Sequence, residues 1–121
     1  MNSFLMISGA TGGLGSALAI DCARRGYSLY LTDRDARGEE LAIFLREKFG
    51  VEVQYHACDL ASSESRGEFY AAIKKEGRRF WGLANVAGLD FEGEFMERTH
   101  EQYLNIIKVN IESTVETTHV V

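Results

Sequence analysis

The sequence predicts an α/β protein, a doubly wound parallel sheet of about four strands with helices on both faces. Two observations carry that reading. Short apolar runs alternate with segments of helical periodicity along all 121 residues, the pattern of a parallel sheet built from strand–helix–strand units. The first apolar run also leads straight into Gly9-Ala10-Thr11-Gly12-Gly13-Leu14-Gly15, four glycines in seven residues, and from there into a helical segment.

Taken in order, Phe4-Leu5-Met6-Ile7 reads as a buried first strand. Residues 16–25 are good helix formers with Leu14, Leu18 and Cys22 on one side, and Gly26 ends them. Residues 27–32 form a second strand, and residues 36–49 a second helix whose Leu41, Leu45 and Phe49 share a face before Gly50 stops it. Residues 51–55 alternate as a third strand. Residues 62–75 form a third helix, opened by Ser62 or Ser63 as cap, with Phe69 and Ile73 four apart. Residues 80–86 are a nearly continuous apolar fourth strand. A loop from Gly88 to about Thr99 leads to a long final helix in which Tyr103, Ile107, Ile111 and Val115 repeat at helical spacing. Its β-branched end, residues 114–121, is a weak helix former.

A hydrophobic content of 45% over residues 1–121 provides one core, and no proline, repeat or low-complexity linker marks a boundary, so a single domain is expected. The formal net charge is −5, and Arg24-Arg25, Lys74-Lys75 and Arg78-Arg79 are scattered among acids. That leaves no electrostatic footprint for nucleic acid. No apolar run approaches membrane-spanning length, and the first residues lack the pattern of a signal peptide, so the chain reads as cytoplasmic, without a membrane partner. Cys22 and Cys58 stand in no redox or metal spacing and read as buried, reduced thiols; His56, His100 and His119 are not at ligand spacing, and no metal site is expected.

The glycine stretch carries the first chemistry. A parallel strand feeding a helix N-terminus aims unpaired amides and the positive end of the helix dipole at one spot, which suits a pyrophosphate. Glycines allow the sharp turn and let the phosphate approach the backbone. Glycines at the first, third and sixth positions are not found from Gly13, because Leu18 takes the last place. Two other spacings are present, Gly9-Gly13-Gly15 and Gly9-Gly12-Gly15, and the loop alone does not choose between them. Asp33, at the end of the second strand, is placed to accept hydrogen bonds from an adenosine ribose and to repel the extra phosphate of NADP. Arg34 beside it is placed to pair with such a phosphate. NAD is the expected cofactor, with NADP possible.

Asp59-Leu60 after the third strand, Asn85-Val86-Ala87-Gly88 after the fourth and Asn110 in the last helix extend the pattern across the whole chain. Together with the glycine loop, they resemble the short-chain dehydrogenase/reductase family, whose fold is Rossmann-like. Asn85 with Ala87-Gly88 resembles the common rather than the extended type, with Val86 standing where that type carries a second Asn. The resemblance implies a pyrophosphate lined by the loop residues Gly9, Thr11, Gly12, Gly13, Leu14 and Gly15, with Asp33 and Arg34 at the adenine ribose. It also implies that Asp59 meets the adenine amino group with Leu60 beside the ring. Asn85, Ala87 and Gly88 then lie by the nicotinamide ribose. Asn110 is the one catalytic position implied within the chain, holding a water that passes protons to an active-site lysine.

In the family the catalytic Ser and a Tyr-x-x-x-Lys pair follow the point that Val121 matches. The expectation is a cofactor-binding half, incomplete relative to the family and inactive alone, from a parent that moves hydride between nicotinamide and an alcohol or carbonyl substrate. Tyr70-Ala71-Ala72-Ile73-Lys74 spells the pair in the wrong place, on a flanking helix. The alternative class is a stand-alone, non-catalytic nucleotide-binding or interaction module. The unblocked fourth strand and the apolar stripe of the last helix point to a homo-oligomer.

Overall fold

The computed structural model describes residues 3–89 and 93–121, so the expected loop of residues 88–99 falls partly outside the described residues. Four strands, β1 (Ser3–Ser8), β2 (Leu29–Asp33), β3 (Val53–Ala57) and β4 (Arg79–Asn85), make one parallel sheet in the order β3-β2-β1-β4. Helices α1 (Gly13–Arg24), α2 (Arg37–Phe49) and α3 (Ser63–Glu76) connect them. The chain thus builds outward from β1 to β3, then returns through α3 to the other side of β1. That reversal is the switch point at which open α/β sheets bind ligands, beyond the carboxyl ends of the strands.

Strand alternation sorts the apolar residues into two cores. Leu5, Ile7, Leu29, Leu31 and Val53 face one way, onto Ala19, Cys22 and Ala23 of α1 and Ala42 and Leu45 of α2. Phe4, Met6 and Tyr30 face the other way, with Phe69 and Ile73 of α3. Both faces of β1 and β2 are therefore dry, which is why these strands read as unbroken apolar runs. Both cysteines are buried free thiols.

Helix ends follow local chemistry. Ser62 caps α3 through Ser65 N, and Gly50 and Gly77 close α2 and α3 in the left-handed conformation. Leu14 departs from the expected apolar face of the first helix. It is 73% exposed, because it sits in the first turn, beyond the end of the sheet; Ala19, Cys22 and Ala23 do the packing.

The final segment is not one regular helix. After a 3₁₀ turn (Phe95–Glu97) come α4 (His100–Ile107), a π-helical turn (Lys108–Glu112) and α5 (Ser113–Val120). Thr99 and Gln102 form a capping box at the start of α4. The face turned inward is Val109, Ser113 and Thr117, all buried, while Ile107, Ile111 and Val115 are exposed. A polar seam joins this segment to α3. Arg66, 1% exposed, donates to the Leu60 carbonyl at 2.6 Å, to Glu116 Oε2 at 2.9 Å and to Glu112 Oε1. The Tyr70 hydroxyl lies 2.7 Å from Thr117 Oγ1. β4 pairs with β1 on one side only, and its Trp81 is 54% exposed beside Tyr27. Among the described residues no helix is long and apolar enough to cross a membrane.

Candidate functional site

A cleft of about 320 Å³ opens at the carboxyl ends of all four strands. Its floor is the turn from β1 into α1. Gly9 leaves β1 at φ 67°, and a Cβ there would stand 2.6 Å from Ala87 N, so β4's exit packs directly on the β1 turn. A Cβ on Gly15 would stand 2.0 Å from the Gly9 carbonyl oxygen. These two glycines are required by the chain's own backbone, before any ligand is considered. A Cβ on Gly13 would meet nothing within 4 Å.

The first helical amides, of Gly13, Leu14 and Gly15, have no carbonyl one turn back within the helix, and the N-cap Gly12 brings no side chain to satisfy them. They lie on the cleft, which Gly9, Gly12, Gly13, Leu14 and Gly15 all line. A glycine cradle with free amides and a dipole end fits a phosphate group.

Beside this floor, Asp33 stands at the end of β2 with Arg34 next to it, both lining the cleft. The carboxylate is already engaged. Its Oδ2 accepts from Thr11 N at 3.0 Å and from Thr11 Oγ1 at 2.6 Å, and its Oδ1 accepts from Arg34 N at 2.8 Å. Thr11 therefore does not line the cleft; it holds Asp33 there. The third wall is Asp59 and Leu60, from the turn after β3. Asp59 Oδ1 accepts from Ala61 N at 3.0 Å, which shapes that turn. Ala87 and Gly88 supply the fourth wall, and the buried Ser8 hydroxyl accepts from Ala87 N at 3.2 Å, tying the ends of β1 and β4.

Two expected residues stand elsewhere. Asn85 lies at the end of β4 with its side chain turned to α5, where Nδ2 donates to Thr118 Oγ1 at 3.2 Å. Asn110, in the π turn, donates from Nδ2 to the Leu89 carbonyl at 2.8 Å and accepts from Leu89 N at 2.7 Å through Oδ1. Its amide thus pairs with both backbone groups of Leu89 on the cleft wall. Tyr70, of the misplaced Tyr-x-x-x-Lys, faces Thr117 rather than the cleft.

Cys58, Ala61, Val86, Leu89 and Val109 also line the cleft. Spacing marked none of them. Cys58 reads in the sequence only as a buried thiol, and burial pushes its pKa up, which keeps it protonated and unreactive. Among the described residues no group of three or more His, Cys, Asp and Glu side chains is arranged to hold a metal ion.

A parallel sheet with a glycine loop, an acidic residue ending β2 and a cleft at the switch point defines a nucleotide-binding α/β protein. The family model for short chain dehydrogenases matches residues 3–121, and the chain belongs to that family. It is 36% identical over 107 residues to dehydrogenase/reductase SDR family member 13 of Homo sapiens, an alignment covering 87% of this chain and 27% of that protein. An alcohol dehydrogenase from Thermococcus sibiricus complexed with 5-hydroxy-NADP superposes with TM-score 0.90 at 31% identity, over 99% of this chain and 52% of the other. A short-chain dehydrogenase from Sphingobium yanoikuyae in complex with NADPH gives 0.89 at 29% identity, over 98% and 46%. The chain spans between about a quarter and half the length of these proteins.

Replacing Gly9 or Gly15 by Ala is expected to lose at least about 2 kcal/mol of stability in urea unfolding, since each new methyl lands on backbone. Gly13→Ala is expected to stay within about 1 kcal/mol of the unaltered chain. Equal losses at all three positions would show that Gly13 is also a packing glycine.

Proposed function

We propose that this chain is the cofactor-binding half of an NAD(P)-dependent oxidoreductase acting on an alcohol or carbonyl substrate. The observation that carries the reading is the meeting of the uncapped N-terminus of α1 with the Asp33 carboxylate in one cleft. The amides of residues 13–15 would hold the pyrophosphate, Asp33 the adenine ribose, and Asp59 and Leu60 the adenine. The small residues Ala87 and Gly88 would admit the nicotinamide ribose close to the backbone. Bound there, the nicotinamide supplies the hydride chemistry. Asn110 acts in this reading by fixing Leu89 on the cleft wall. The two reduced thiols fit a cytoplasmic setting.

Cofactor choice rests on Asp33. A carboxylate facing the ribose disfavours a 2′-phosphate by about 1 to 3 kcal/mol in a partly solvated site. NADP is the second reading, favoured by the NADP-type ligands of the two solved structures named above and by Arg34 on the same wall. Calorimetric titration is expected to show tighter binding of NAD than of NADP, with the preference narrowed or reversed in Asp33→Ala. Tighter NADP binding by the unaltered chain would put Arg34, not Asp33, at the ribose.

The 121-residue chain alone is expected to turn over no alcohol or ketone, since general acid–base catalysis contributes about 10²- to 10⁴-fold and the tyrosine that supplies it in the family has no counterpart here. Steady-state assays across both substrate classes check this. Cofactor binding without turnover by any longer form of the protein would favour the non-catalytic module.

The open edge of β4 and the exposed Ile107, Ile111 and Val115 leave apolar surface that a second copy would cover. Light scattering coupled to size exclusion at micromolar concentration is expected to show a dimer or larger. A well-folded monomer would overturn this.

A further inference from the structure

Among the described residues Arg66 is the largest fully buried side chain, and it is charged. Helix packing alone does not need a guanidinium there, since an apolar residue of similar volume fills such a place without the penalty of desolvation. Its three bonds reach three different segments. The Leu60 carbonyl belongs to the turn after β3, Glu112 to the π turn and Glu116 to α5. Burial disfavours the charge, but Glu116 and Glu112 outweigh it, and the guanidinium stays protonated.

Two of those segments form part of the cleft. Leu60 and Val109 both line it, and both belong to the same buried cluster, 8% exposed each. Leu60 carries the carbonyl that Arg66 holds. Val109 lies in the π turn, three residues before the Glu112 that Arg66 also holds. Asn110, next to Val109, fixes Leu89 on the same cleft. Arg66 itself does not line the cleft.

We infer that Arg66 is a positioning residue that sets where Leu60 and Val109 stand on the cleft wall. The inference rests on the cleft being the dinucleotide site and adds a positioning element to it. A lysine at position 66 keeps one positive charge for the two glutamates, and so holds α3 to α5. It lacks the planar fork that reaches three acceptors in different directions. The placement of Leu60 and Val109 loosens while the fold remains.

The test uses the whole chain as Arg66→Lys and Arg66→Met, with methyl NMR of Leu60 and Val109 as the structural readout and adenosine monophosphate and inorganic pyrophosphate as probes. Circular dichroism establishes that Arg66→Lys is folded, which keeps the test sound if Arg66→Met is not. In Arg66→Lys the Leu60 and Val109 methyl resonances are expected to shift together. The dissociation constant for adenosine monophosphate is expected to rise about tenfold, the size of coupling that a shared network carries. The constant for pyrophosphate, which meets only the α1 amides, is expected to stay unchanged. Unchanged adenosine monophosphate binding in folded Arg66→Lys overturns the inference, and so does equal weakening of both probes, which would be a general loss of structure. Failure of the unaltered chain to bind NAD or adenosine monophosphate at all overturns the reading of the cleft itself and this inference with it.

Discussion

At Gly9 three stretches of backbone meet with no room for a side chain. β1 ends one residue earlier, α1 begins four residues later, and β4 leaves the sheet alongside, with Ala87 N 2.6 Å from where a Cβ of Gly9 would be. The Gly9 carbonyl fills the space above Gly15, and the Ser8 hydroxyl accepts from Ala87 N. These contacts bring the free amides of α1 and the exit of β4 to the same end of the sheet. A side chain at either glycine would push α1 or β4 outward and open the floor of the cleft. The cleft is thus a consequence of backbone packing, and its charge and shape are added around that floor.

What is added comes as ties between loops. Thr11 pulls Asp33 to the glycine loop through two donors, and Asn110 pairs with the N–H and C=O of Leu89 as a facing residue in a sheet would. Each tie fixes a connection beyond a strand end, where the ladder no longer supplies hydrogen bonds. Asp33 retains acceptor capacity beyond its three bonds, because two carboxylate oxygens offer about four lone-pair sites. It can hold the loop and still receive a ribose hydroxyl. The seam between α3 and the last helix works differently: only the guanidinium of Arg66 is fully desolvated, while Glu112 and Glu116 remain 46% and 43% exposed. The carboxylates stay partly hydrated, which lowers the penalty that a fully buried ion pair carries.

The order of strands and helices was legible because each element carries its own period and its own stop. β1 and β2 are covered on both faces and read as apolar runs, and Gly50 ends a helix where the left-handed conformation is needed. Most of the cleft was legible too, since Gly9, Gly12, Gly13, Leu14, Gly15, Asp33, Asp59-Leu60 and Ala87-Gly88 all follow strand ends in a parallel sheet. What escaped depends on contacts distant in sequence. Leu14 has the spacing of a core residue but lies beyond the sheet. Asn85 was assigned to the cleft, yet Thr118, 33 residues away, claims its side chain. Arg66 in a polar helical segment reads as a solvated charge, and only Glu112 and Glu116, 46 and 50 residues on, explain its burial. The π turn leaves no mark in the apolar repeat, because Ile107, Ile111 and Val115 keep helical spacing while the buried face is Val109, Ser113 and Thr117.

The two glycine spacings left open by the loop sequence differ only in whether Gly12 or Gly13 is the middle glycine, and the backbone treats these two unequally. Gly12 is spent inside the loop: its amide donates to the Gly9 carbonyl at 3.2 Å, and a Cβ on it would stand 3.4 Å from that same oxygen. It closes the turn and caps α1, tasks that a small polar residue performs nearly as well at a helix start. Gly13 begins the helix, with no contact within 4 Å of a Cβ, on the wall of the cleft. A side chain at Gly13 would meet no atom of the protein near its Cβ. Packing therefore demands glycine at positions 9 and 15, the two members that both spacings share, and these two fix the floor of the cleft.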